Sequence, residues 1–314
     1  MQEDKDMQIA NLIMALPGAA AQGLIWGIMA IGVYLTFRVL DIADLTVDGT
    51  MCTGGAVCVM MMTSGHNVWV SLLVATLAGM TAGLVTGIFH TFMGIPAILA
   101  GILTQLSLYS VNLKIMGKAN QAINVDKYPI LMSLRRIKNV PITQNTILIV
   151  ALFIVVIIAV LYWFFGTELG CSLRATGCNP NMSRAQGINT DFCKVLGLMI
   201  SNGLVALSSA LLAQYQGFAD VNMGRGAIVI GLAAVIIGEA IFSRIFRNFA
   251  LRLLAVAFGS ILYYLVLQTV IWMGIDTDLL KMLSALVVAV FLAVPYWKGK
   301  YFAKPAKRGG KNNA

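Results

Sequence analysis

Residues 49–113 run for 65 consecutive positions without one Asp, Glu, Lys or Arg. A membrane-crossing helix takes roughly 20 apolar residues, so this stretch alone holds about three. Too few charges remain to cover a soluble globule, since 59% of the 314 side chains are hydrophobic and 11% are charged. Further uncharged runs cover residues 7–37, 139–167, 195–219 and 253–275, each long enough for one span. Two shorter ones, 226–238 and 282–297, fall below the usual length unless flanking residues join them. The expectation is an all-α polytopic membrane protein with eight to ten transmembrane segments, some broken or short. Helices satisfy their own backbone groups in lipid, and no period-2 alternation points to a barrel.

The formal charge of +9 is concentrated at one end: six of the 22 basic residues lie in the last 17 positions. Without interleaved aromatics or a groove-reading motif, residues 298–314 read as a basic cytoplasmic tail near anionic membrane lipid rather than as a nucleic-acid contact. The five cysteines include no Cys-x-x-Cys, and His66 and His90 are the two imidazoles, so no metal constellation is expected. The cysteines read as small packing residues. The first apolar run lacks a basic flank and a small-residue cleavage site, and is expected to stay as an anchor. One transmembrane domain, 1–314, is expected.

With the tail inside, residues 168–194 and 243–252 also fall inside and carry Arg174, Arg184, Lys194, Arg244, Arg247 and Arg252. Residues 218–225 and 274–278 fall outside. This follows the positive-inside rule. Residues 117–144 also come out external, although Lys118, Lys127, Arg135, Arg136 and Lys138 outnumber Asp126 there. Glycines at 79, 83 and 87 repeat a small-xxx-small spacing, read as close helix packing within the chain rather than a dimer seam.

Two polar breaks interrupt the apolar pattern, one in each half. Residues 38–49 place Asp41, Asp44 and Asp48 among Leu40, Ile42, Ala43, Leu45 and Val47, either as a solvated loop or as irregular backbone buried in protein. Residues 220–226, with Asn222, open into a short Gly-rich helix that ends at Glu239. Paired interrupted segments are the sequence mark of a midplane pathway built from broken helices. Asp41, Asp44, Asp48, Asn222 and Glu239 are therefore candidate pathway residues, although Glu239 has a simpler reading as an interfacial ion pair with Arg244 or Arg247.

The internal loop 167–190 is written like a small exposed helix. Asn179 suits the N-cap, Pro180 the first helical position and Gly187 the stop. About two turns lie between, and Met182, Arg184 and Gln186 offer a mixed polar and soft-apolar face for docking another protein. The stretch LRATGCNPNMSRAQGI resembles the cytoplasmic coupling segment of permeases in the branched-chain amino acid and ribose family of ATP-binding cassette importers. Its matching elements are Arg174-Ala175, the turn Gly177-Cys178-Asn179-Pro180, Ala185 and Gly187-Ile188. LDIADLTVDG is similar to the acidic segment that opens the first broken helix of these permeases, and GRGAIVIGLAAVIIGEAIF to their short helix in the second half. Sugar permeases carry a Gly-rich form of the first motif, which places this chain nearer an amino-acid branch.

The resemblance implies a permease homodimer in the plasma membrane of a bacterium, two cytosolic ATPase subunits bound to the coupling helices, and an extracellular solute-binding lipoprotein. The solute it implies is an aromatic amino acid such as tryptophan or tyrosine. The chain has no Gly-x-x-x-x-Gly-Lys-Ser/Thr phosphate loop, so ATP and Mg are expected on the partner ATPase and no cofactor or enzymatic activity on this chain. The competing reading is a stand-alone ion-coupled secondary transporter or channel that uses Glu239 or Asp48 as its ion site. It leaves the capped helix without a role. A membrane enzyme would need a catalytic cluster that two separate histidines do not make.

Overall fold

The computed structural model describes residues 2–124, 128, 130–133, 145–242, 246 and 248–273, with isolated positions between 279 and 293, and side chains from residue 15 onward. The polypeptide enters through α1 (Gln2–Tyr34), which widens into a π-helical turn (Leu35–Val39) and breaks. It continues through α2 (Thr46–Thr63), α3 (Val68–Thr91) and α4 (Ala97–Met116) to a short strand β1 (Asn120–Ala122). The second half comprises α5 (Thr146–Gly166), α6 (Glu168–Cys178), α7 (Pro180–Ala185), α8 (Thr190–Gln216), β2 (Phe218–Asp220), α9 (Ala227–Phe242) and α10 (Phe249–Trp272).

Among the described residues six helices are long and apolar enough to cross a membrane: Ala15–Val39 and α3, α4, α5, α8 and α10. The two interrupted segments, α2 and α9, are additional to these. At about 1.5 Å per residue α9 spans roughly 24 Å, short of a hydrocarbon core of about 30 Å. Residues 282–297, read above as a short apolar stretch, lie largely outside the described residues, as do 274–278 and the basic tail 298–314.

Local chemistry sets the ends of these helices. Asn67, Asn145 and Asn189 each turn a side-chain oxygen onto a backbone N–H of the first turn of α3, α5 and α8. Gly117 and Gly217 close α4 and α8 in the left-handed region, at φ of 67° and 82°. The first break has its own geometry: Leu40 N–H reaches back to Leu35 C=O at 3.0 Å, and Ile42 N–H to Thr36 C=O at 2.9 Å. Asp41 sits at φ 55°, a region that Asp tolerates better than most residues.

The core is built around α8. Along α3, the glycine seam faces it directly: a Cβ at Gly79 would strike Ala206 and Asn202, one at Gly83 would strike Leu198, and one at Gly87 would lie 3.0 Å from Val195 Cα. The small-xxx-small repeat therefore packs within the chain, as its spacing suggested. Helix α1 lies between α8 and α10. Ser201 Oγ donates to Gly32 C=O at 2.8 Å and Ser208 Oγ to Ile25 C=O at 2.7 Å, which stitches α8 to α1. Helices α4 and α5 form the least buried spans and present large apolar side chains outward, among them Leu106 and Leu152, as lipid-facing helices must.

Strands β1 and β2 pair antiparallel, with Asn120 opposite Asp220. This puts the chain after α4 on the same face of the bundle as the chain after α8, in agreement with the shared external side expected for 117–144 and 218–225. Of the basic residues that spoke against that placement, Lys127, Arg135, Arg136 and Lys138 lie outside the described residues.

Candidate functional site

The two polar breaks meet. Asp48, in the first turn of α2, accepts hydrogen bonds from the backbone N–H of Gly226 and of Ile228, both at 3.0 Å. The first N–H groups of a helix have no partner of their own, and inside a membrane no water is present to supply one. A carboxylate borrowed from the other half of the chain supplies it and complements the positive end of the α9 dipole. Gly224 lets the loop come this close, because a Cβ there would strike Asp48 C=O.

Asp44 is buried at 2% exposure and has a different task. One carboxylate oxygen accepts from Thr46 N–H at 2.9 Å, which starts α2, and the other accepts from Asn202 Nδ2 of α8 at 2.7 Å. Asn202 Oδ1 takes the Thr50 hydroxyl at 2.7 Å. A neighbouring hydroxyl chain, Thr46–Thr86–Thr104, joins α2 to α3 and α4 at 2.7 and 2.9 Å. Of the acids of the first break, Asp44 is thus packed in irregular backbone inside protein and Asp48 is half-buried in the first turn of α2, neither in a solvated loop. The exception is Asp41, which is exposed. Asn222 is exposed too, in a turn where its N–H meets Asp220 Oδ1 at 2.7 Å.

Glu239, near the end of α9, pairs with Arg38 of the π-helical turn, at 3.0 Å between Nε and Oε1. Sequence proximity pointed instead to Arg244 or Arg247, both of which lie outside the described residues. The observed pairing ties the end of the second broken helix to the end of α1.

The internal loop forms the local structure its residues spell. Asn179 Oδ1 accepts from Met182 N–H at 3.1 Å, Pro180 opens α7 and Gly187 stops it at φ 80°. Met182 and Gln186 face outward. Arg184 turns back onto the start of α8, where it donates to Thr190 Oγ1 at 2.8 Å and Asp191 Oδ1 at 3.3 Å. Arg174, on the preceding α6, points into the bundle rather than outward: it donates to Phe165 C=O at 2.6 Å and lies over the Phe249 ring. Helix α6 itself, not distinguished from loop in the sequence, packs against the first break, where Gly177 abuts Val39 C=O.

Besides a cavity of about 350 Å³ lined by Arg38 and Glu239, two others border these elements. One of about 990 Å³ opens beside the end of α1, lined by Tyr34, Arg38, Trp163, Arg174, Phe249 and Arg252 among others. A second, of about 390 Å³, lies where the breaks meet and is lined by Asp48, Gln105, Tyr109, Asn112 and Arg225. Sequence reasoning missed the three α4 residues. Their signal was present, since positions 105, 109 and 112 fall on one helical face within the longest uncharged run. Among the described residues no three His, Cys, Asp or Glu side chains gather as a metal site requires.

Residues 16–294 match the family described as "Branched-chain amino acid transport system / permease component". The chain is 40% identical over 272 residues to the tyrosine transport system permease protein of Clostridioides difficile, covering 87% of this chain and 88% of that one. It is 37% identical over 279 residues to an uncharacterized protein of Rickettsia prowazekii, with 88% and 95% covered. It is 31% identical over 230 residues to the autoinducer 2 import system permease protein LsrC of Yersinia pestis, with 70% and 60% covered. Among solved structures, PsaBC from Streptococcus pneumoniae in complex with Fab shares the fold, at a TM-score of 0.53 and 18% identity over 94% of this chain and 98% of that one.

Proposed function

The chain belongs to the branched-chain amino acid transport system permease family, a multi-pass plasma-membrane permease of ATP-binding cassette importers, and from that premise we propose how it works. It acts as a homodimer, receives solute from an extracellular binding lipoprotein, and is driven by two cytosolic ATPase subunits that carry the ATP and Mg. The solute is an aromatic amino acid. The name of the 40%-identical relative supports this last point.

One observation carries the reading: an unbroken series of contacts runs from the exposed α7 to the meeting point of the broken helices. Arg184 ties α7 to the first residues of α8, Asn202 of α8 holds Asp44 at the break, and four residues further Asp48 caps α9. A displacement of α7 by an ATPase groove is passed to α8 as a rigid body, because α8 is, after the first, the most buried of the six long spans. The α8 shift then moves both breaks together. Arg174, Asn179, Pro180, Met182, Arg184, Gln186 and Gly187 form and support the ATPase-coupling segment. Asp48 and Asn222, with Asp41, Asp44 and Glu239 around them, frame the route.

Co-reconstitution tests it. Vesicles holding the permease and its ATPase subunits should take up radiolabelled L-tyrosine when ATP and the loaded binding protein are supplied on their proper sides. Uptake that runs on a proton or sodium gradient without nucleotide would replace this reading with the ion-coupled one.

A further inference from the structure

The 390 Å³ cavity at the meeting of the breaks carries a set of groups that the capping geometry does not explain. Arg225 is exposed, and its guanidinium has no ion-pair partner among the described residues. Asp48 stands on the same wall, one residue removed in contact, since it accepts from Gly226 N–H. Each of its oxygens uses one lone pair on α9 and keeps a second. Asn112 is wholly buried and sends Nδ2 to Gly49 C=O at 3.4 Å, which leaves Oδ1 without a hydrogen-bond partner among the described residues. Gln105 and Tyr109 complete the face, Gln105 half-buried and Tyr109 exposed.

Such groups do not belong against lipid. A row of polar side chains on α4, a helix long and apolar enough to cross the membrane, is costly unless it lines a water-filled or ligand-filled space. A buried acceptor with no donor is costly as well. Toward the cavity these groups offer a guanidinium that donates and carboxylate and amide oxygens that accept.

We propose that the cavity lined by Asp48, Gln105, Tyr109, Asn112 and Arg225 is a binding site for an α-amino acid in its zwitterionic form, a proposal that rests on the importer reading and names the substrate class at its midpoint. Arg225 takes the carboxylate by a two-pronged hydrogen bond, the geometry that guanidinium favours. The free lone pairs of Asp48 and the amide oxygen of Asn112 take the ammonium, and Tyr109 lies beside the side chain. The volume is near the lower end of the range of about 300–1,000 Å³ for small-molecule sites, room enough for one amino acid. Since Asp48 also caps α9, solute at this site touches the joint between the two broken helices. Occupancy and the helix positions are then linked through one carboxylate.

Saturation-transfer NMR on the purified full-length permease in nanodiscs tests the site, because the method reads weak binding without any partner protein. L-Tyrosine should give saturation transfer that unlabelled L-phenylalanine competes away. Tyramine, which lacks the carboxylate, and 3-(4-hydroxyphenyl)propionate, which lacks the ammonium, should each bind at least tenfold more weakly. Arg225→Ala should weaken L-tyrosine at least tenfold and leave tyramine unchanged. Arg225→Lys should recover part of the loss, and because Arg225 is exposed neither variant disturbs the core. No transfer from L-tyrosine, or equal transfer in Arg225→Ala, overturns the site. Binding with the expected selectivity but no response of uptake to nucleotide would leave the site standing and remove the ATP-driven reading. Nucleotide-driven tyrosine uptake that is indifferent to Arg225→Ala would do the reverse.

Discussion

Asp48 and Gly226 stand 178 positions apart in the chain and are joined by a 3.0 Å hydrogen bond, carboxylate to backbone N–H, where two interrupted helices meet. The bond makes Asp48 a cap for a helix to which it does not belong. Asp48→Ala should then destabilise the folded permease by about 0.5–2 kcal/mol, the usual cost of a lost N-cap, while Asp48→Asn, which keeps one acceptor, should cost less. In uptake assays Asp48→Asn should lower the rate more than it changes affinity for the loaded binding protein. Thermal unfolding in detergent beside uptake kinetics reads both. An Asp48→Ala protein as stable as the parent would mean that α9 finds its N-terminal partners elsewhere.

The buried pair Asp44–Asn202 predicts a sharper effect, because neither group reaches solvent. Asn202→Leu strands a carboxylate in the core, at a cost of about 3–5 kcal/mol if it stays charged. Asp44→Asn should be milder, since an amide can still face Thr46 N–H. The exchange Asp44→Asn with Asn202→Asp keeps the same groups across the gap and should regain most of the stability lost in Asn202→Asp alone. If the double variant is no better than the sum of the singles, the pair does not interact as the 2.7 Å distance implies.

For the cytoplasmic segment, the contact of Arg184 with Asp191 gives the direction. Arg184→Glu sets two like charges against each other at the start of α8, so α7 loses its tie and its outward charge changes sign. The protein should still assemble in the membrane, while binding-protein-stimulated ATP hydrolysis and uptake fall together. Adding Asp191→Arg should restore the tie, and with it part of the activity. Since both side chains are 55% exposed, thermal stability should move by no more than about 1 kcal/mol. Undiminished uptake in Arg184→Glu would take this segment out of the transport cycle.

How much of this was legible in the sequence depends on the range over which a residue acts. The α7 helix could be read off Asn179, Pro180 and Gly187 because caps and stops work within one turn. The glycine seam could be read because its four-residue spacing leaves one face bare, although its partner, α8, could not. Both breaks showed as polar residues in apolar runs, but their joining through Asp48 did not, since a capping carboxylate leaves no mark on a helix 178 residues away. Glu239 shows the same limit. Chain proximity favoured Arg244 and Arg247, which lie outside the described residues, and gave no sign of Arg38, to which the fold returns the end of α9. Gln105, Tyr109 and Asn112 carry no formal charge, so the long uncharged run hides them although they share a helical face. Helix α6 was hidden for another reason: Gly170 and Gly177 weaken its propensity, and packing against Phe165 and Val39 overrides that.

The Glu239–Arg38 pair separates the two transport mechanisms. An ion-coupled transporter with its ion site at Glu239 needs that carboxylate free to exchange a proton or sodium ion, so Glu239→Gln would abolish uptake with stability unchanged. In a nucleotide-driven permease the same carboxylate holds the end of α9 to the end of α1 through its ion pair with Arg38, whose side chains are 60% and 32% exposed. A pair so open to solvent is worth about 0–1 kcal/mol. Glu239→Gln keeps the shape and a hydrogen-bond acceptor for Arg38 Nε, and so should retain more than half of the nucleotide-driven uptake. Arg38→Glu, which turns the pair into a repulsion, should lower it further. Uptake measured in vesicles with ATP but no ion gradient distinguishes these cases, and complete loss in Glu239→Gln with a normal unfolding midpoint would return the ion-coupled mechanism to first place.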